Sequence, residues 1–318
     1  MSSAVHTLAQ YGIHCLDTGF HRPRFDAAWL IVEQGRGALI DCGTSLSVPS
    51  LLDGIARAGL APQDIDWLIL THVHLDHAGG AGALLQHLPM ARCVVHPRGA
   101  AHMVDPSRLI AGATAVYGAD EMARSYGNIV PVPESRIVIA RDNHRIDLAG
   151  RHLLCLDTPG HANHHNCIWD EASGSVFSGD TFGISYRELD TAQGCFIFPS
   201  TTPVQFDPEA LKASIDRLIE FDPARVCLTH FGAIEQPRAC AARLKACIDA
   251  MVDGALACAK SDDRHGALVA TLDALYVPAA VAHSGLRSEA VRELIGMDIE
   301  LNAQGLGVWL DRQQRVRA

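Results

Sequence analysis

Apolar positions fall first into short β-type runs separated by turns. "IHCLDTG" is followed by "AWLIVEQGRGALIDCG", then by "SVPSLLDGIARAGL", whose Leu51, Leu52, Ile55 and Leu60 recur at helical spacing. "WLIL", residues 67–70, predicts a buried strand, residues 78–88 a helix, and "RCVVHP" another strand. A helix-rich, glycine-interrupted stretch fills 98–127, and strands return from about 137 to 180, with "DEASG" as the turn between "NCIW" and "SVFSGD". Asp207-Pro208 opens a helix, since Asp caps free N–H groups and Pro suits the first helical position. Leu211, Ile215, Leu218 and Ile219 form its buried stripe, and the strand "ARVCLTHFG" follows. Behind Pro237 the pattern becomes helical. Leu244, Ile248, Met251, Val252, Ala255 and Leu256 mark one long helix, and a second is expected over about 287–303. This is mixed α/β order, with a domain over 1–236 and a helical extension over 237–318.

At 318 residues, 48% of them hydrophobic, the chain can build a large core. Mean hydropathy is close to zero. No uninterrupted apolar run of membrane length stands out, so no membrane partner is expected. "MSSAVHTLAQYG" lacks the cationic start and apolar stretch of an export signal, and a cytoplasmic protein is expected. The net charge is −10 with Lys and Arg dispersed, which disfavours nucleic acid as a partner. The ten cysteines are scattered singly, often inside apolar strings such as "HLLCLD", and read as reduced buried thiols.

The candidate chemistry lies in "THVHLDHAGG", residues 71–80, which crowds His72, His74, Asp76 and His77 directly behind a strand. His161 in "LDTPGHA", Asp180 in "VFSGDTF" and His230 in "CLTHFG" stand in the same context, a polar residue just after a strand ends. Rigid strands can aim such residues at one point. Imidazole and carboxylate suit zinc, iron or manganese. Seven ligands are too many for one tetrahedral ion and about right for two. Among the other histidines, His6, His14, His87, His102, His265 and His283 read as ordinary surface or core residues, and His164 and His165 in "GHANHH" as loop residues without a duty, with a group supporting a ligand or an additional acid as the alternative.

The ordered set H-x-H-x-D-H, then an isolated His, an Asp after Gly and a final His resembles the metallo-β-lactamase-fold hydrolase superfamily over residues 12–236. The resemblance implies an αββα four-layer sandwich, here with a C-terminal helical extension. It assigns His72, His74 and His161 to a first metal, and Asp76, His77 and His230 to a second. Asp180 would bridge the two. Asp41, ending "ALIDCG", matches the family's early strand-end Asp and is expected to orient a ligand histidine from behind. Asp180 stands where the best-known zinc β-lactamases carry Cys, so the pattern is closer to glyoxalase-II-like thioesterases, lactonases and phosphodiesterases. The lactonase pattern has Tyr three residues after the bridging Asp, whereas this chain has Gly183.

The implied activity is hydrolysis of a small ester, thioester, lactone or phosphoester by a hydroxide shared between two divalent ions, zinc first, iron or manganese as alternatives. Asp76 would orient the attacking water and carry a proton to the leaving group. Arg22, Tyr186 and Phe196 are the candidate substrate residues, Tyr186 as hydrogen-bond donor to an oxyanion. A mononuclear iron persulfide dioxygenase and a low-turnover ligand-binding regulator remain alternatives. The expected partner is a small-molecule substrate, and the C-terminal helices are left with two readings, a cap over the pocket or the surface of a homodimer.

Overall fold

The computed structural model of the protein describes residues 8–201 and 204–317. His6 and most of the stretch read for an export signal lie outside the described residues. By their backbone contacts the described residues form two compact units. The first takes the chain up to Asp157, His164–Gly179 and Pro223–Glu235, and the second takes Thr158–Asn163, Asp180–Asp222 and the chain from Gln236 onward.

The first unit holds two six-stranded mixed sheets. One runs β1 (Ile13–Asp17), β2 (Ala27–Glu33), β3 (Arg36–Ile40), β4 (Ile65–Ile69), β5 (Arg92–Val95), β6 (Ile137–Ile139), antiparallel to β3 and parallel beyond it. The other contains β7 (His144–Leu148), β8 (Arg151–Asp157), β9 (Asn166–Asp170), β10 (Ser175–Phe177), β11 (Arg225–Leu228) and β12 (Gly232–Ile234), in the reverse order β12 to β7. Only β10 and β11 are parallel neighbours there.

Alternation along β2 explains the layering. Ala28 and Leu30 join Leu39 and Leu68 in a core with Leu51 and Ile55 of helix α1 (Val48–Arg57), and with Leu84 and Leu85 of the helix Ala81–His87. Trp29 and Ile31 point the other way, into a core with Ile40 and Ile69 from their own sheet and Ile146, Leu153, Cys155, Ile168 and Phe177 from the second. Both faces of the first sheet are covered, which is why its central strands read as continuous apolar runs. The Trp29 indole N–H donates to the Leu228 carbonyl at 3.1 Å, tying the sheets together beside the end of β11.

The second unit is helical: α2 (Pro208–Glu220), α3 (Pro237–Cys258), α4 (Arg264–Ser284) and α5 (Ser288–Arg317). Asp207 caps α2 as expected, accepting from the Ala210 N–H at 3.1 Å. The pattern behind Pro237 predicted two helices, and the structure has three. Helix α4 escaped because its apolar side chains run round the whole axis, so no stripe at 3.6-residue period marks it, and because Pro278, which the helix carries inside it, argues against a helix in the sequence. By length and composition α4 is also apolar enough to cross a membrane, although Asp273 interrupts its apolar run. Its Leu268, Leu272, Tyr276, Val277 and Ala280 are buried. α4 packs on α3 and α5, so this face belongs to the interior of the helical unit.

Candidate metal centre

Every expected ligand follows the C-terminal end of a strand, where open α/β sheets place ligands. His72 comes three residues after β4, Asp180 three after β10 and His230 two after β11. Asp41, directly behind β3, ties the ends of β4 and β11 together. It takes the left-handed backbone region at φ 58°, where a short polar side chain is better tolerated than a branched one. Its Oδ1 accepts from the Thr71 N–H at 2.8 Å. Its Oδ2 accepts from the Thr71 hydroxyl at 2.7 Å, His77 Nδ1 at 2.9 Å and the Thr229 hydroxyl at 3.2 Å. Thr71 precedes His72 and Thr229 precedes His230, so one buried carboxylate fixes the roots of two ligand loops and the ring of a third ligand.

The hydrogen bonds also fix tautomers. A carboxylate oxygen accepts, so the hydrogen of His77 lies on Nδ1, and Nε2 faces Asp76 Oδ2 at 3.7 Å as a lone pair. His230 repeats the arrangement, with Nδ1 donating to the Phe25 carbonyl at 2.9 Å and Nε2 lying 3.5 Å from the same Asp76 oxygen. The donor atoms of Asp76, His77 and His230 all lie within 4.8 Å of one another. His72 Nε2 and His74 Nδ1 approach to 2.7 Å, and the His72 ring sits 4.0 Å from that of His77. In the second unit His161 Nδ1 donates to the Ser200 carbonyl at 3.3 Å, and its Nε2 lies 3.3 Å from Asp180 Oδ2. Imidazoles held at Nδ1 by fixed acceptors, each turning Nε2 to a carboxylate, are suited to grip a divalent cation. The residues present fit such an ion.

Three buried residues beside this cluster were assigned no role from the sequence. His165 is fully buried with its ring stacked on His72 at 4.8 Å, and His164 meets His74 edge-on at 5.5 Å, so neither is an idle loop residue. The density of "HANHH" was the available signal. Asp26 lies between Phe25, whose carbonyl holds His230, and Ala27, whose N–H donates to the Thr229 carbonyl at 2.9 Å. The Thr18 hydroxyl donates to its Oδ2 at 2.7 Å, and burial pushes its carboxyl up to about 7 against the pull of His230 and His77.

The expected substrate residues separate. Arg22 is half-buried with its guanidinium 5.3 Å over the Phe25 ring, which meets His230 edge-on at 5.4 Å. Tyr186 is fully buried and its hydroxyl donates to the Asp298 carboxylate at 3.1 Å, which replaces the expected hydrogen bond to an oxyanion. Phe196 is half-buried against Phe198 at 6.0 Å and His283 at 5.9 Å in the second unit. The ten cysteines are free thiols, and Cys42, Cys93, Cys155, Cys167, Cys227 and Cys240 are buried.

The sequence model of the metallo-beta-lactamase superfamily matches residues 21–230 and so spans the motif and every expected ligand. The chain belongs to the metallo-β-lactamase superfamily. The α/β sandwich of that family, with C-terminal helices, is the fold. Relatives within it include the metallo-beta-lactamase fold-containing protein ST1585 of Sulfurisphaera tokodaii, 26% identical over 70% of this chain and 79% of that protein. A hydroxyacylglutathione hydrolase of Yersinia pestis is 27% identical over 64% of this chain, which spans only 60% of that enzyme. The crystal structure of ST1585 superposes with a TM-score of 0.60, covering 74% of this chain and 85% of that one. A family protein from Thermus thermophilus, TTHA1429, shares the fold at 22% identity, with a TM-score of 0.63 over 90% and 94% of the two chains.

Proposed function

We propose that this metallo-β-lactamase-fold protein is a dinuclear metal-dependent hydrolase acting on a small ester, thioester, lactone or phosphoester. The observation that carries the reading is the set of imidazoles whose Nδ1 is tied down while Nε2 turns to Asp76 or Asp180. Further support comes from the donor set Asp76, His77 and His230, of the size one ion takes; the family pattern would assign His72, His74 and His161 to a second ion and Asp180 to both. Zinc is the first candidate, and iron and manganese accept the same donors. Bound divalent cations would lower the pKa of a water toward neutrality and polarise the scissile carbonyl or phosphoryl group.

The chain's own residues do the rest. Asp76 is a quarter exposed while His77 and His230 are buried, so its carboxylate holds the attacking water and passes a proton to the leaving group. Asp41 keeps His77 in the ligating tautomer. Arg22, with its guanidinium over the Phe25 ring, would meet an anionic part of the substrate.

The test is metal analysis of protein purified without added metal, then assay on thioesters, lactones and phosphodiesters with and without chelator. Two equivalents of divalent metal, chelator-sensitive turnover, and joint loss of metal and turnover in Asp180→Ala and His72→Ala are expected. One equivalent of iron with oxygen consumption on a persulfide would replace the reading by a dioxygenase. A metal-loaded protein inert toward the whole panel would replace it by a ligand-binding regulator.

A further inference from the structure

A second reactive cluster lies wholly within the helical unit. Cys195, in the segment behind Asp180, places its Sγ 3.8 Å from Sγ of Cys240 in the first turn of α3. The two are 45 residues apart in sequence. Cys195 is half-buried, so a small oxidant can reach it, whereas Cys240 is buried behind it. Arg187 stands near the Cys195 thiol, and the Arg243 guanidinium donates to the Cys195 carbonyl at 3.5 Å. The neighbouring Cys240 thiol is the largest cause, followed by Arg187, of a Cys195 thiol brought down to about 7. Burial instead pushes the thiols of Cys42, Cys93, Cys155, Cys227 and Cys247 up. Cys195, more exposed than its partner and lowered where those five are raised, is the thiol suited to react first, with a second sulfur 3.8 Å away.

We propose that Cys195 and Cys240 are a redox-active dithiol that hydroperoxides oxidise to a reversible disulfide, with Cys195 as the attacking thiolate and Cys240 as the resolving thiol. Cys195 Sγ attacks the distal peroxide oxygen. The S–O bond forms, the O–O bond breaks, and the alcohol or water leaves with a proton from solvent. Cys240 Sγ then attacks the resulting sulfenic sulfur, the S–S bond forms, and the departing hydroxide takes the Cys240 proton as water. Two thiols lose two electrons, and the hydroperoxide gains them.

Closing to a disulfide asks the sulfurs to approach by about 1.8 Å from 3.8 Å. The Cys195 segment is the side able to give. It is a loop with no helix or strand of its own, closed by the Thr191–Gly194 bridge and held from outside by His283 at the Gly194 carbonyl (3.1 Å) and Arg243 at the Cys195 carbonyl, and Gly194 at φ 109° has open space around it. The reaction uses none of the proposed metal ligands, so it stands or falls apart from the hydrolase reading.

The experiment treats the reduced full-length protein with a small excess of hydrogen peroxide, blocks thiols with N-ethylmaleimide under denaturing conditions, and maps peptides by mass spectrometry. The expected result is alkylation of two fewer than the ten cysteines, a peptide pair joined through Cys195 and Cys240, and full recovery after a dithiol reductant. Cys240→Ser should leave a sulfenic acid on Cys195 that dimedone traps, and Cys195→Ser should leave Cys240 fully alkylated. Wild-type protein that keeps all ten thiols, or that first oxidises another cysteine, overturns the proposal, and this result needs no variant to fold.

Discussion

Replacing Asp41 by Asn tests the logic of the metal centre with the loss of one charge and almost no change of shape. The Asp41 carboxylate accepts four hydrogen bonds, three of them at Oδ2. An Asn oxygen kept in place for the Thr71 N–H would put an amide NH2 against His77 Nδ1 and two hydroxyls. The hydroxyls can rotate to accept. His77 can accept only by moving its hydrogen to Nε2, which removes the lone pair that faces Asp76. Loss of a partner behind a metal ligand typically weakens binding roughly 10- to 100-fold, or about 1.4–2.7 kcal/mol. The poorer hydrogen bonding should also cost ~1–3 kcal/mol of folding stability.

Zinc affinity is measured on metal-stripped protein by competition with a chromophoric chelator. Long-range nitrogen–proton NMR on the histidine rings of the metal-free protein reads the tautomer. The reasoning predicts weaker zinc binding together with a His77 hydrogen on Nε2. A correctly folded Asp41→Asn protein that binds zinc within about twofold of the parent, with Nδ1 still protonated, would refute it.

Three further outcomes are expected. Gly179→Ala should lose roughly 1–3 kcal/mol of stability by denaturant unfolding, because a Cβ there would lie 2.6 Å from His165 Nε2 and 2.7 Å from the Thr71 hydroxyl at φ 47°; an unchanged midpoint would show that the packing behind His72 is loose. Asp26, raised from 3.8 to about 7, holds an extra proton in the folded state between those values, so its contribution is full at low pH and fades as pH rises through about 7, by roughly 4 kcal/mol in total. Unfolding of metal-free protein at pH 5.5 and 8 should show a loss that Asp26→Asn abolishes, and equal pH slopes in the two proteins would count against it. Tyr186→Phe should lower stability by about 1–3 kcal/mol and leave bound metal unchanged, since the hydroxyl serves Asp298; loss of metal would return Tyr186 to the site.

What the sequence could determine by itself was local. Apolar runs at periods of two and 3.6 marked nearly all the strands and α1, α2, α3 and α5, and strand ends followed at once by His or Asp marked the ligands, because a strand and the residue behind it are contiguous in the chain. Helix α4 was illegible, since an apolar surface on all sides leaves no periodic signal. Tertiary structure alone decided the rest. Tyr186 looked available until folding delivered Asp298, 112 residues away, to its hydroxyl. Cys195 and Cys240 looked like two scattered apolar fillers until α3 set their sulfurs together. Asp26 and His165 gained their roles from what buries them. Desolvation, stacking and tautomer choice depend on neighbours distant in sequence, and no spacing along the chain records which neighbours those will be.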